Sequence, residues 1–320
     1  MVSGKSLCLS DSIFYPPFLD SWIMGRGPRR SPSPHDRLLN WSTPSVVIRN
    51  MARPGQVSHY SAFCAYRAEG RRTGSVDLQS CEFIYPTTLV PLLALSRKSE
   101  WPWKVNPKTQ VRGYLNYILN RRGSRAIGSS YVAPVSLPSS PEDFKNVLKG
   151  LHSLQSQSAL FRRNEVAYKY VIGELVDNIY EHSAFQHASV MGQKYAQGGY
   201  IELCFFDDGI TIPGSFVKHG RAYDKKAHKD AIIEAVKGAS TKQEKGRGYG
   251  LSTNVEMFRD IGGEVFIASG YGAIYVDKGG VIPYTLDDSS RMEGTLISLR
   301  VRDRARVVNV YEYVERESTL

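Results

Sequence analysis

The stretch ELVDNIYEHS, residues 174–183, sets four ionisable side chains and an asparagine into ten positions. Glu174, Asn178 and His182 recur every four residues, and Asp177 and Glu181 stand one position before the last two. On a helix this spacing lays all five along one stripe. Val171, Ile172, Leu175, Val176 and Ile179 fill the neighbouring stripe, which reads as core-facing. A solvated helix face accounts for the polar stripe as well as a binding site does. The decision rests on whether other segments need it.

Downstream, the order of elements reads as an α/β domain. RNEVAYKYVIGELVDNIYEHSAF is a helix, and GGYIELCFFDDG is a buried strand ending in acids and glycine. DKKAHKDAIIEAVKGAS is a lysine-rich helix, STKQEKGRGYG a polar glycine loop, and LSTNVEMFRDIGG a helix stopped by glycine. EVFIASG, GAIYVDKGG and GTLISLRVRD are three strands joined by glycine-rich turns, as in an antiparallel meander. Helices on one face of a mostly antiparallel sheet make a two-layer α/β sandwich.

Upstream, SVDLQSCEFIY reads as a strand and TTLVPLLALSRK as an apolar helix with a threonine cap. WPWKVNP reads as a turn, and KTQVRGYLNYILNRRG as an amphipathic helix. The three prolines of VAPVSLPSSPEDF mark a domain boundary near Pro138. The expected organisation is a basic, disordered arm over 1–54, a small α/β domain over 55–137, a larger one over 138–303 and a tail over 304–320.

The bulk properties of the 320 residues are those of a globular chain, with 42% hydrophobic and 22% charged residues. Cys8, Cys64, Cys81 and Cys204 lie far apart with no CxxC pairing, which argues for reduced thiols and against a structural zinc. The longest apolar run, TTLVPLLAL, is short and contains Pro91, so no membrane span is expected. LSDSIF interrupts the apolar segment a signal peptide needs, and a cytoplasmic protein is expected. The net charge of +10 sits early: residues 1–72 hold ten basic residues against four acidic ones. A basic arm touches nucleic acid weakly at most, and nothing else suggests that partner.

KGRGYGLS places Gly246, Gly248 and Gly250 before a helix. Glycines let backbone N–H groups approach an anion, and a helix N-terminus favours negative charge. No Lys-Ser/Thr pair follows, which excludes a Walker A loop, and the GxGxG spacing is a poor dinucleotide fingerprint. In FFDDGITIPG, a carboxylate at a strand end beside a glycine turn can accept a hydrogen bond from an amine such as adenine N6. An Asp-Gly pair that merely starts a turn is the plain alternative.

Taken together, ELVDNIYEH, DDGITIP, GRGYGLS and EGTLISL resemble, in order, the N box, the two glycine boxes and the closing Gly-Thr strand of the GHKL ATP-binding family, whose domain is the Bergerat fold. That family takes in type II topoisomerases, heat-shock chaperones, mismatch-repair ATPases, histidine kinases and anti-sigma-factor kinases. The resemblance implies ATP and Mg²⁺ as ligands. It makes Asn178 the metal ligand, Glu174 the residue that orients or deprotonates the attacking water, and His182 a basic group near the phosphates. Asp207 would hold the adenine amino group, with Gly209 leaving room and Thr295 backing the same edge. Gly246, Gly248 and Gly250 would wrap the phosphates, and Lys242, Lys245 and Arg247 would neutralise them. Thr211 departs from the pattern, standing where the first glycine box has its second glycine.

SVDLQSCEFIYPTTLVPLLALSR is similar to the strand-turn-helix of STAS-like domains, where a Ser or Thr in the turn accepts phosphate from a GHKL kinase. Thr87 and Thr88 occupy that turn, though both serve equally as helix caps. The expectation is a slow Mg²⁺-dependent ATPase whose nucleotide state switches contact with a protein partner, a homodimer being admitted. An anti-sigma-type Ser/Thr kinase and a non-catalytic ATP-sensing module are the alternatives.

Overall fold

From Ile201 to Asp207, every residue of strand β5 (Tyr200–Asp207) is buried. A strand with one solvated face alternates apolar with polar residues, whereas a strand covered on both faces reads as a continuous apolar run. LCFF is such a run, and β5 lies inside a sheet covered on both sides. The computed structural model describes residues 55–119, 131–137, 164–239, 250–302 and 306–313. Its main sheet has seven strands in the order β3-β4-β5-β9-β6-β7-β8, every neighbouring pair antiparallel. These are β3 (Tyr131–Ser136), β4 (Ala188–Tyr195), β6 (Glu264–Gly270), β7 (Gly272–Asp277), β8 (Gly280–Thr285) and β9 (Met292–Arg302).

On one face lie α4 (Glu165–Asn178), α5 (Ile212–Lys218), α6 (His228–Val236) and α7 (Gly250–Asp260). Val171, Ile172 and Leu175 of α4 and Phe258 of α7 share a core with Leu203, Phe205, Ile297 and Leu299 of the sheet. The expected core stripe of α4 is therefore correct. On the other face lie α1 (Gly55–Thr73) and α2 (Pro86–Lys98), whose Tyr60, Phe63, Leu89 and Leu92 pack with Cys204, Phe206, Phe266 and Leu296. The two-layer sandwich expected from sequence is thus a sheet with helices on both faces. The chain from Asn50 to Leu320 makes one compact unit. Both β3, on the N-terminal side of the boundary expected at Pro138, and α2 belong to the architecture of the large sheet. The expected arm, Pro138 itself and the end of the chain past Tyr313 lie outside the described residues.

The N-terminal elements differ from expectation in detail. Only Val76–Leu78 of SVDLQSCEFIY forms a strand (β1), because Gln79 N–H turns back to Asp77 Oδ1 at 2.9 Å and Cys81 N–H to the Leu78 carbonyl. WPWKVNP supplies β2 (Trp103–Val105), which pairs in parallel with β1, and α3 (Gln110–Leu119) follows. Helix α2 begins at Pro86 with Tyr85 as its cap residue, and no threonine side chain caps it. The downstream strands are not a simple meander. β6, β7 and β8 are consecutive hairpins, but β9 returns to lie between β5 and β6.

Thr87 and Thr88 are both buried. Thr88 Oγ1 donates to the His59 carbonyl at 2.8 Å. Thr87 Oγ1 donates to Glu202 Oε1 at 2.7 Å, inside a polar seam that fastens the α1–α2 layer to the sheet. There the fully buried Glu202 receives Arg300 Nη2 at 2.9 Å, and Gln56 Nε2 donates to the Ser298 carbonyl at 2.7 Å. Gly55 opens α1 directly against Arg300, where a Cβ would stand 2.6 Å from Nη1. Burial would raise the Glu202 carboxyl, but His59, Arg300 and Thr87 outweigh it and hold it at about 2.

Because that value lies below the ordinary 4.5, the seam's stabilisation is complete above pH 4.5 and is lost as the pH falls toward 2. Glu202→Ala leaves the buried Arg300 only its longer contact with Glu264, at 3.8 Å, and should cost about 2–4 kcal/mol. Urea unfolding checks this; a loss under 1 kcal/mol would mean that the pair does not hold the layers together.

Candidate functional site

The alternation of β5 puts Leu203 and Phe205 in the core of the α4–α7 face, so Asp207 points to that face as well. There it lines an open cleft of about 760 Å³, solvent in its mouth included. The cleft has apolar walls, among them Leu175, Ile210, Phe216 and Ile297, and its polar groups include Asn178, His182, Ser183, Asp207, Thr211, Ser215 and Thr295.

Helix α4 does not run straight into this cleft. After Asn178 the helix widens into a π-helical turn, Ile179–Ser183, that ends at Ala184 with φ 48°. The extra residue shifts the i, i+4 register, and such turns are frequent where side chains are re-aimed at a site. Asn178 and His182 line the cleft, whereas Glu174 does not. Its carboxylate lies instead against the first residue of α7: a Cβ on Gly250 would stand 2.2 Å from Glu174 Oε2. A carboxylate at a helix N-terminus is electrostatically favoured, and only glycine admits so close an approach. Asp177 is exposed.

The corner after β5 is locked to the π turn. Ile210 N–H donates to the Ser183 carbonyl at 2.6 Å, and a Cβ on Gly209 would stand 2.0 Å from that oxygen. Gly209 N–H donates to Asp207 Oδ1 at 3.0 Å. Across the ladder Asp207 is opposite Thr295, whose hydroxyl lies 3.0 Å from Ser269 Oγ. Ser269 in turn accepts Ile212 N–H at 2.8 Å, tying β6 and α5 into the same corner. Gly294, at φ +91°, lets β9 pass over the Asp207 carbonyl, where a Cβ would stand at 1.9 Å.

Thr211 has a concrete role. Its Oγ1 accepts Gly214 N–H at 3.0 Å as the N-cap of α5, and its φ of −71° needs no glycine. The side chain starts a helix at the position where the resemblance expects a second glycine.

The adjacent acids Asp207 and Asp208 meet opposite environments. Burial dominates at Asp207, which is 4% exposed, and pushes its carboxyl up to about 7. Asp208 is also disfavoured by burial, but the His187 and Gln186 N–H groups at 2.7 and 2.9 Å and the His187 ring at 3.0 Å outweigh it and lower its value. One carboxyl is held ready for a donor; the other is spent on the loop.

Of the positions picked from sequence, Asn178, His182, Asp207 and Thr295 meet in the cleft, Gly209 orients Asp207, and Gly250 and Glu174 touch beside it. Lys242, Lys245, Gly246, Arg247 and Gly248 lie outside the described residues. Sequence reasoning passed over Ser183, Ser269 and Gly294. Ser183 ends the opening stretch and Gly294 precedes Thr295, so both stood in quoted motifs, whereas Ser269 carries no signal of its own. Among the described residues no group of three or more His, Cys, Asp or Glu side chains is arranged to hold a metal ion. No helix among them is long and apolar enough to cross a membrane. No family model matches the chain, and no curated protein matches its sequence.

Asp207 gives a stability test that needs no ligand. Its folded value lies above the ordinary 3.8, so the fold favours the protonated acid, and stability falls as the pH rises from 3.8 to about 7. Asp207→Asn should therefore gain about 1–3 kcal/mol over the wild type at pH 8 and nothing at pH 4. Equal stability of the two proteins at pH 8 in denaturant titrations would remove the buried carboxylate from the account.

Proposed function

We propose that this cleft binds ATP with Mg²⁺, in the manner of the GHKL proteins that the four sequence motifs resemble. The observation that carries the reading is Asp207: a carboxyl buried at the floor of an apolar slot, oriented by the Gly209 N–H. A buried acid with so little compensation is costly, and such groups concentrate at functional sites. Deprotonated, it presents an acceptor to an exocyclic amine, and the apolar walls suit a flat heterocycle. Thr295, opposite Asp207 in the ladder, would back the amine-binding edge.

The residues present suit the metal as well. Asn178 lines the cleft, and its Nδ2 is buried with no hydrogen-bond partner among the described residues. An amide oxygen is a suitable hard ligand for Mg²⁺. When bound, the ion would neutralise triphosphate charge. His182 adds a donor at the cleft wall for the phosphates. Gly246 and Gly248, with Lys245 and Arg247, complete the phosphate loop in this reading. Glu174, held against Gly250, is the acid that orients or deprotonates water.

Slow hydrolysis that switches contact with a protein partner is the function we assign. Against phosphotransfer within this chain stands the burial of the candidate acceptors, Thr87 on Glu202 and Thr88 on the His59 carbonyl.

The test is incubation with γ-labelled ATP and Mg²⁺, following label as free phosphate, on protein or unchanged. The wild type should release phosphate slowly, and Glu174→Ala should bind nucleotide while losing turnover by at least about a hundredfold. Unchanged turnover in that variant removes Glu174 as the base. Asp207→Asn should lose nucleotide binding: Gly209 N–H holds the amide oxygen, which turns the NH₂ toward an adenine that also donates. Undiminished binding would refute the pocket assignment.

A further inference from the structure

Strand β8 is an edge of the large sheet, joined to β7 by the tight turn Lys278-Gly279, which closes on Asp277 opposite Gly280. Antiparallel partners alternate between pairs that exchange both backbone hydrogen bonds and pairs that exchange none. A hairpin this short closes on a bonded pair, so Gly280, Ile282 and Tyr284 turn their backbone groups inward to β7. The bond from Leu286 N–H to the Tyr271 carbonyl, at 2.8 Å, continues the same phase. Val281, Pro283 and Thr285 therefore direct their backbone polar positions away from the sheet.

That outward edge is self-complementary everywhere but at its centre. In an antiparallel second copy centred on residue 283, Val281 faces Thr285, Ile282 faces Tyr284, and residue 283 faces itself. All three outward positions then fall in bonded pairs. Ile282 against Tyr284 is an apolar–aromatic cross-strand pair of the kind that stabilises sheets. Val281 and Ile282 are 40% and 37% exposed, so the apolar surface for such a contact is open. Beyond the strand the donors are already taken: Gly279 N–H by Asp277 Oδ1 at 2.7 Å, and Asp287 N–H by Ser290 Oγ at 3.1 Å. The pairing would thus stand or fall on residue 283. Proline has no N–H there, and its ring carbon stands where the donor would point at the facing carbonyl.

We propose that Pro283 is a gatekeeper, which keeps an edge otherwise fit for a second copy of this chain from joining two sheets into one. At the axis the pair of prolines loses both of its bonds and sets each ring against the other's carbonyl. The opposite edge is interrupted as well: β3 shifts its register between Val132 and Val135, and Pro134 stands inside the shift. A bulge and a proline on an edge strand are both devices against strand addition. The inference stands whether or not the front cleft, which Asp207 lines, takes ATP.

Sedimentation equilibrium of the full chain tests it. Pro283→Val restores the central donor and should self-associate at least about tenfold more tightly than the wild type. In hydrogen exchange at the same concentrations, the Val281 and Thr285 amides should slow in the associated variant and not in the wild type. Pro283→Lys restores the same donor but sets like charges opposite each other across the axis, and should sediment as the wild type does. Unchanged association of Pro283→Val overturns the proposal, as do Val281 and Thr285 amides that slow when the wild-type concentration is raised. Association of Pro283→Lys as tight as that of Pro283→Val overturns the pairing centred on residue 283.

Discussion

The antiparallel pairing of β5 with β9, from Tyr200 opposite Arg302 to Asp207 opposite Thr295, holds both halves of this molecule in register. Its alternation sends Leu203, Phe205, Ile297 and Leu299 to one core, and Cys204, Phe206 and Leu296 to the other. A slip of one residue would exchange the faces and move Asp207 out of its cleft. The same pairing brings Glu202 opposite Arg300, so the ion pair that anchors α1 and α2 and the acid that faces the front cleft belong to one ladder.

The site is assembled by close backbone approaches at the end of that ladder. Gly209 against Ser183, Gly294 over Asp207 and Gly250 against Glu174 are three contacts where a side chain would collide. Each brings a different element to the same corner: the π turn, β9 and α7. The corner buries one acid with little compensation and satisfies its neighbour fully. That contrast is what a site for an amine-bearing ligand requires, and it costs stability the rest of the fold must offset.

Much of this was legible in the sequence, and the exceptions have physical causes. The α4 core stripe, the β5 run and the Asp-Gly corner were readable because periodicity and turn chemistry agree there. β4 was missed because Gly192, Gln193 and Lys194 break its apolar run, although Gln193 is buried on the sheet. β8 was missed because Pro283 reads as a breaker, yet an edge strand tolerates proline. Helix α1 was missed because Arg67, Arg71 and Arg72 break the apolar spacing of its second half, although Arg67 is buried. LCFF signals a strand covered on both faces, but not that α1 and α2 are what cover the second one. Thr87 looked like a cap, and its partner Glu202 is 115 residues away. No local pattern reports such a bond.

Base selectivity reports most directly on what Asp207 recognises. Displacement of a fluorescent adenine nucleotide by ATP and by GTP, measured at pH 8 where Asp207 is ionised, compares an amine donor with a carbonyl acceptor at one position. The account predicts that ATP competes and GTP does not, and that the difference shrinks as the pH falls below about 7. Equal competition by the two nucleotides at pH 8 would contradict it.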